Sequence, residues 1–188
     1  MTRCSKPSIT NPFERAHFVN SQQKIFARYI HSLPPGELTW IGLRPERKTN
    51  MIEVDHTQAL AEQGLEGDHR IGKTRGSGRQ VTIISEEYIQ QIGHYLGGKT
   101  VHPALLRRNL VVKHINLTAL RYQTFQIGEA IFEAGALCHP CSRMEYALGK
   151  GGVAAMMGHG GLCCKIVKTG EIKLGDSVVL LKPQQSLF

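Results

Sequence analysis

The sequence has few acidic residues, few aromatic residues and no long apolar run, and each shortage reduces the range of partners that the protein could bind. Lys and Arg number 23 against 15 Asp and Glu, a net charge of +8 that favours a nucleic acid, an acidic lipid or a phosphorylated small molecule as partner. Aromatic residues are only 6% and are not interleaved with the basic ones, as a stacking surface for single-stranded nucleic acid requires. No apolar run approaches the roughly 20 residues of a membrane span. The sequence therefore predicts no nucleic-acid partner and no membrane insertion.

The N-terminal residues lack a charged segment followed by an apolar one, the pattern of a secretory leader. The number of cysteines is odd, whereas a disulfide framework favours an even number. They are Cys4, Cys138, Cys141, Cys163 and Cys164. We therefore expect reduced thiols in a cytoplasmic protein.

Two regions are predicted within a chain long enough to bury a substantial core. Residues 1–35 are expected to form an N-terminal helical appendage, since residues 21–31 have helical apolar spacing and a Pro-Pro-Gly stop follows. Residues 36–188 are expected to form the main domain. Short apolar segments separated by glycine turns predict strands at 38–43, 51–54, 81–84, 110–112, 130–133, 165–168 and 178–181.

Many short strands favour a mainly β barrel or sandwich with few helices. One helix is predicted after Ser85, which can cap the acidic first turn of residues 86–92, and a second short one starts at Pro103.

Cys141 is the strongest candidate for chemistry, because it lies beside Pro140 at a predicted helix start. Proline suits the first helical position, and Gly149 supplies a stop, so Cys141 is expected in the first turn. Free backbone N–H groups there and the nearby Arg143 favour a thiolate, which is both a nucleophile and a soft metal ligand. The competing interpretation is a buried structural cysteine.

Two basic segments are candidate anion sites. The first, residues 67–74, formally matches the phosphate-binding loop G-x-x-x-x-G-K-T, but its flanks do not read as the strand and helix that such a loop needs. We interpret this segment, with Arg70, Lys73, Arg75 and Arg79, as a flexible cationic loop that closes over an anionic ligand. The second, residues 107–109, places two guanidinium groups where they can bind phosphate. Each segment taken alone also fits a solvated surface.

His159 lies in a glycine-rich stretch, residues 149–161, where backbone can approach a ligand closely. It could act as an acid, a base or a hydrogen-bonding group, or be merely structural. Structural zinc is disfavoured, because only Cys138 and Cys141 have a Cys-x-x-Cys spacing, and Cys163 and Cys164 alternate across a strand.

The order of several segments resembles the MOSC domain, named after the C-terminal part of molybdenum cofactor sulfurase, in its small stand-alone bacterial form. The resemblance runs from about Glu37 to Leu181. It rests on residues 67–70, 79–82, 107–110, 127–130, 138–143, 158–161 and 175–176.

The resemblance implies a closed, mainly β barrel with short helices, similar to the pyruvate kinase barrel domain. It also implies a protein that binds the molybdenum cofactor (molybdopterin) through one cysteine, and some members reduce N-hydroxylated compounds with electrons from a partner protein. The alternative is a non-catalytic sulfur carrier that holds a persulfide on Cys141, received from a pyridoxal-phosphate-dependent cysteine desulfurase. Pyridoxal phosphate would then belong to that partner.

Site roles follow from the resemblance together with the residues themselves. Cys141 matches the family's cysteine and is the expected metal ligand, Cys138 is an extra thiol that leaves open a Cys138–Cys141 redox pair, and His159 completes the catalytic candidates. The expected cofactor-binding residues are Asp68, His69, Arg79, Arg107, Arg108, Asn109, Ser142 and Arg143.

Overall fold

The structure is a computed structural model that describes residues 29–73 and 75–181. Its strands, β1 to β11 in chain order, are Gly36–Leu43, Ile52–Glu53, His56–Leu60, Gly64–Leu65, Val81–Ser85, Leu110–Lys113, Thr124–Ile127, Ala130–Leu137, Leu162–Lys168, Gly170–Lys173 and Ser177–Leu180. Its α-helices, α1 to α4, are Glu86–Tyr95, Pro103–Leu106, Ser142–Leu148 and Gly152–Ala155. Short 3₁₀ turns cover Ile30–Ser32 and Leu117–Leu120.

Within these residues, strands close into a barrel in the order β1, β6, β5, β9, β8, β7 and β11. Closure comes from β11 pairing back onto β1, with Val178 opposite Gly36. The β5–β6 pair is parallel and the other barrel pairs are antiparallel. A separate sheet joins β10, β3 and β4. The predicted mainly β barrel with a few short helices is confirmed.

The two faces of the barrel wall have different partners, because alternate side chains of a strand point to opposite sides. Ile83 and Leu110 belong to the buried cluster that fills the barrel. Their neighbours Ile84 and Val111 face outward and pack in a second buried cluster, which includes Met144 of α3. The helices therefore cover the outside of β5 and β6 and bring the start of α3 to that side of the barrel.

Local sequence signals identified the elements with strong patterns. The hydroxyl of Ser85 accepts a hydrogen bond from the Tyr88 backbone N–H at 3.2 Å and caps α1 as predicted, although the helix continues to Tyr95. Strands β3, β4, β7 and β10 were not predicted. Strands β3 and β10 contain few apolar residues, so no apolar pattern predicts them. They are strands because they pair with each other, for example at His56 and Lys173.

The predicted N-terminal helix lies mostly outside the described residues, and Cys4 lies wholly outside them. The described end of that segment is the 3₁₀ turn Ile30–Ser32. Among the helices of residues 29–73 and 75–181, none combines the length and the apolar character that crossing a bilayer demands.

Candidate functional site

A cavity of about 460 Å³ opens on the barrel beside the start of α3. We call it the basic cavity, because every lining residue other than His69 is an arginine or a lysine. The lining within the described residues is Arg44, Arg47, Lys48, His69, Arg70, Lys73, Arg107 and Arg143. Such a concentration of positive charge, with no carboxylate in the lining, favours a polyanionic ligand.

Asp68 organises the floor of the basic cavity from a buried position. Its carboxylate accepts hydrogen bonds from the backbone N–H of Arg44 at 3.2 Å and of Arg70 at 2.9 Å. His69 Nδ1 lies 3.2 Å from both this carboxylate and the carbonyl oxygen of Arg44, so Nδ1 carries the proton and donates it. One carboxylate thus fixes the backbone of two lining residues, Arg44 and Arg70, and the ring of a third, His69.

Asn109 extends this buried polar network toward the barrel wall. Its side-chain N–H₂ donates to Asp68 and to the carbonyl oxygen of Gly42, both at 3.2 Å. Its side-chain oxygen accepts from the backbone N–H and the hydroxyl of Thr82, at 3.2 and 2.9 Å. The amide of Asn109 is therefore fully used within the protein, and it positions Asp68 instead of facing the cavity.

The charge and the burial of Arg44 favour an anionic ligand. Its side chain is buried, and its Nε has no hydrogen-bond partner among the described residues. Burial lowers the pKa of Arg44, the charge of Arg107 lowers it further, and Asp68 partly opposes both effects. Burying a guanidinium charge is costly, and the negative charge of a phosphate in the basic cavity would offset part of that cost.

Three consecutive residues, Arg107 to Asn109, have three different surroundings. Arg107 ends α2 in the left-handed conformation, with φ 57° and ψ 34°, and lines the basic cavity. The buried guanidinium of Arg108 instead donates to the carbonyl oxygens of Gly160 at 2.7 Å, Leu106 at 2.9 Å and Cys138 at 3.1 Å. Arg108 thus ties the backbone beside Cys138 to the end of α2, while Arg107 remains available to a ligand.

Cys141 is exposed and immediately precedes α3. Its φ of −129° and ψ of 172° are extended, so the helix starts at Ser142, and the prediction that Cys141 lies in the first turn is corrected to the N-cap. Arg143 follows in α3 and lines the basic cavity. Burial and the charge of Arg143 lower the pKa of Arg107, and the nearby Cys141 opposes them. The thiol therefore lies at the cavity margin.

Cys138 lies just past the end of β8, after a register shift in the β8–β9 pairing between Ala134 and Leu137. The neighbouring Cys163 side chain lowers the pKa of Cys138 to about 6, burial opposes this effect, and the charges of Arg108, Arg79 and Arg70 add to it. Cys138, together with burial, raises the pKa of Cys163. Cys163, and not Cys141, is thus the cysteine that affects the pKa of Cys138 most.

Other predicted residues lie farther from the basic cavity lining. Arg79 is exposed, and its charge acts on Cys138 and Cys163. His159 packs against the rings of Tyr88 and Tyr95, with centroid distances of 5.3 and 5.6 Å. Its Nδ1 lies 3.0 Å from the carbonyl oxygen of Met157.

The segment that formally matches a phosphate-binding loop is built of turns. It follows the two-residue strand β4, and the next element after it is the strand β5, while Thr74 lies outside the described residues. In the part of the chain that the structure describes, no three His, Cys, Asp or Glu side chains gather as ligands for a metal ion.

Arg44, Arg47 and Lys48 were missed by sequence reasoning. A signal for them existed, since this basic run directly follows β1, the longest apolar strand of the first half of the chain. Cys163 was considered only as a zinc ligand. Its effect on the pKa of Cys138 arises because β8 and β9 are neighbours in the barrel, which no local pattern carries.

The fold and the site define a closed β-barrel protein with a cationic ligand cavity and an accessible thiol at its margin. The model of the MOSC domain family matches residues 14–179, so the chain belongs to the MOSC domain family, which is related to the molybdenum cofactor. This match begins within the N-terminal segment that the sequence set apart.

Solved structures share the fold. YuaD from Bacillus subtilis superposes with a TM-score of 0.70 at 18% identity, over 81% of this chain and 98% of that one. YiiM from Escherichia coli gives a TM-score of 0.61 at 19% identity, over 78% and 70% of the two chains. YiiM from Geobacillus stearothermophilus gives 0.63 at 14%, over 80% and 77%. A comparison with curated protein sequences finds no match.

Proposed function

We propose that this protein binds the molybdenum cofactor in the cytoplasm, with the phosphate end of the pterin in the basic cavity and Cys141 as the metal ligand. The observation that carries the proposal is a cavity lined by cations, the buried Arg44 among them, with an exposed thiol at the margin. A soft thiolate suits molybdenum, and guanidinium groups suit phosphate. Membership of the MOSC family supports the same cofactor.

The predicted binding residues divide into two roles. Arg107, Arg143 and the newly found Arg44 contact the phosphate end, while His69 forms part of the wall. The remaining predicted residues position them: Asp68, Asn109 and Arg108 hold backbone, Ser142 starts α3, and Arg79 supplies charge near Cys138.

When bound, the cofactor would supply two-electron redox chemistry, which in some members of the family serves the reduction of N-hydroxylated compounds. The chain's own part is to hold the phosphate, present the Cys141 sulfur and keep the surrounding backbone fixed. An electron-donor protein must then reach the site, and the exposure of Cys141 permits this approach.

The same exposure favours a second candidate function. A sulfur carrier must place its cysteine inside the active site of a cysteine desulfurase, and an exposed cysteine that precedes a helix meets that need. In this alternative Cys141 holds a persulfide, and the basic cavity binds the anionic acceptor.

Metal and pterin analysis of the full chain, expressed in a molybdenum-replete host, tests the proposal. We expect molybdenum and pterin in the purified protein, loss of the metal in Cys141→Ser, and retention in the matched variant Cys138→Ser. Cofactor that survives Cys141→Ser contradicts the ligand assignment. Protein without cofactor that gains one sulfur on Cys141 after incubation with a cysteine desulfurase is the sulfur carrier.

A further inference from the structure

The proposed function leaves one polar group of the basic cavity without a role, the second ring nitrogen of His69. The ring lines the cavity, and its side chain is 17% exposed. Its Nδ1 lies 3.2 Å from the Asp68 carboxylate and 3.2 Å from the carbonyl oxygen of Arg44. Its Nε2 makes no hydrogen bond within residues 29–73 and 75–181. Two protein acceptors thus hold one nitrogen and leave the other for a ligand.

The orientation of the His69 ring is fixed by a buried network. The backbone N–H of His69 donates to the carbonyl oxygen of Arg44 at 2.7 Å. The Asp68 carboxylate that accepts from Nδ1 is itself held by the backbone N–H groups of Arg44 and Arg70 and by the side-chain amide of Asn109. Turning the ring over would set a carbon atom against two oxygen acceptors, so Nε2 stays on the side of the cavity.

The charges around this ring make the proton on Nε2 depend on the ligand. With Nδ1 protonated, a neutral His69 presents the lone pair of Nε2, which cannot donate to an anion. A proton on Nε2 of the free protein adds one more positive charge to a cationic cavity, whereas beside a bound anion it forms a charge-assisted hydrogen bond. The charged and titratable groups that face the ring are Asp68 below it, Cys141 at the margin, and Arg44, Arg47, Lys48, Arg70, Lys73, Arg107 and Arg143.

We propose that His69 takes up a proton at Nε2 when an anion binds in the basic cavity, so that anion binding and proton uptake are coupled. Coupling between two ligands is reciprocal, and the protonated ring therefore binds the anion more tightly. Histidine side chains change charge between about pH 5 and 8. Anion affinity should rise as the pH falls through that range and should decrease as the pH rises.

This inference rests on the anion site of the proposed function, but on neither the metal nor the identity of the anion. His69 becomes a binding residue whose charge follows the occupancy of the cavity. Asp68 then has two functions, since it holds the backbone of the lining and balances the positive charge of the ring.

The pH dependence of sulfate binding is the test. Sulfate remains a dianion throughout this range, so the probe itself exchanges no proton. The protein is the full chain carrying Cys141→Ser, produced in a host that makes no pterin cofactor, so that neither the thiol beside Arg107 nor a bound pterin contributes. Isothermal titration calorimetry at a series of pH values gives the dissociation constants. We expect binding to be ~10-fold or more tighter at pH 6 than at pH 8.

Three variants in this background assign the proton to one ring. His69→Gln places a side-chain amide N–H₂ near the position of Nε2, and because this group does not titrate, sulfate affinity should become independent of pH. His69→Asn keeps a donor near Nδ1 but none at Nε2, so it should bind weakly at every pH. His56→Asn is the matched control, since His56 lines a separate cavity with Glu171 and Lys173, and it should keep the pH dependence of the parent.

Each outcome decides a separate claim. Sulfate binding that does not depend on pH in the parent overturns the proposal, and so does a pH dependence that survives His69→Gln or is lost in His56→Asn. Absence of sulfate binding at every pH overturns it together with the phosphate site of the proposed function. Protein that acquires no molybdenum but shows the His69-dependent titration contradicts the proposed function alone.

A second measurement covers the case in which the His69 variants fail to fold by circular dichroism. Nitrogen NMR of the histidine rings in the parent protein reports the protonation of each ring nitrogen. Sulfate at pH 7.5 should convert one histidine from a neutral ring to an imidazolium. Spectra in which no histidine ring gains a proton overturn the proposal.

Discussion

Cys138 and Cys141 lie three residues apart but belong to two different regions of the molecule. Cys141 is exposed before α3, beside the cations of the basic cavity. Cys138 is half-buried past the end of β8, with its pKa lowered by Cys163 and its backbone held by Arg108. The spacing alone suggests one paired site, whereas the end of a strand and the start of a helix direct the two thiols to separate neighbours.

The arginines show the same division. Arg108 donates hydrogen bonds to three backbone carbonyl oxygens, so its guanidinium group stabilises the fold. Arg107 and Arg143 line the open cavity and hold donors for a ligand. Burial and hydrogen bonding therefore separate cations that stabilise the protein from cations that bind.

The largest effect is expected for Arg108→Ala. The variant leaves three carbonyl oxygens without their charged donor, and we expect the free energy of unfolding to fall by ~3 kcal/mol or more. The matched variant Arg143→Ala removes an exposed side chain and should cost less than ~0.5 kcal/mol. Urea denaturation of both variants measures the difference. Equal losses would show that the two arginines are not separated as described.

The second effect is on ligand affinity, where Arg143→Ala, the variant with the small stability loss, should have the large effect. Arg143→Ala and Arg107→Ala each remove one cation from the basic cavity, and we expect each to weaken pyrophosphate binding by ~10-fold or more. Lys168→Ala, at the opposite end of β9 from the thiols, is the control and should leave affinity unchanged. Isothermal titration calorimetry gives the dissociation constants. Equal weakening by Lys168→Ala would mean that overall charge, not the cavity, binds the anion.

Most of the barrel was accessible from sequence, since the longer strands have dense apolar patterns that local rules recognise. Strands such as β3 and β10 lack that pattern, and their pairing with each other sets their conformation. The start of α3 was displaced by a residue or two because Pro140 suits positions just before a helix as well as the first one.

Within the site, the sequence located the right segments but not the direction of each side chain. Arg107, Arg108 and Asn109 were read as one phosphate-binding cluster. The left-handed turn at Arg107 and the start of β6 give them three surroundings, two of them buried. Burial and register are properties of the assembled barrel, so the roles of Arg108 and Cys163 required the structure.

The third prediction concerns the pH dependence of thiol alkylation. A pKa of about 6 for Cys138 means that the thiolate forms as pH rises through that value and is lost below it. Iodoacetamide should therefore modify Cys138 at pH 7 well before buried Cys164, whose pKa is raised. In Cys163→Ala the side chain that lowers this pKa is gone, and the midpoint for Cys138 should move to higher pH. Mass spectrometry of the alkylated peptides measures the rate of alkylation and its pH midpoint. An unchanged midpoint in Cys163→Ala would show that Cys163 does not lower the pKa of Cys138.

The smallest effect is expected on the stability of Cys141→Ala. The side chain is exposed and makes no capping hydrogen bond to α3, so its removal should change the free energy of unfolding by less than ~0.5 kcal/mol. Cys163→Ala, which removes a buried group, should cost more, ~1 kcal/mol. Urea denaturation compares the two variants under reducing conditions. An exposed residue that contributes nothing to folding is free to serve binding. A stability loss at Cys141 as large as that at Cys163 would instead make Cys141 a structural residue, and it would weaken the assignment of Cys141 as the metal ligand.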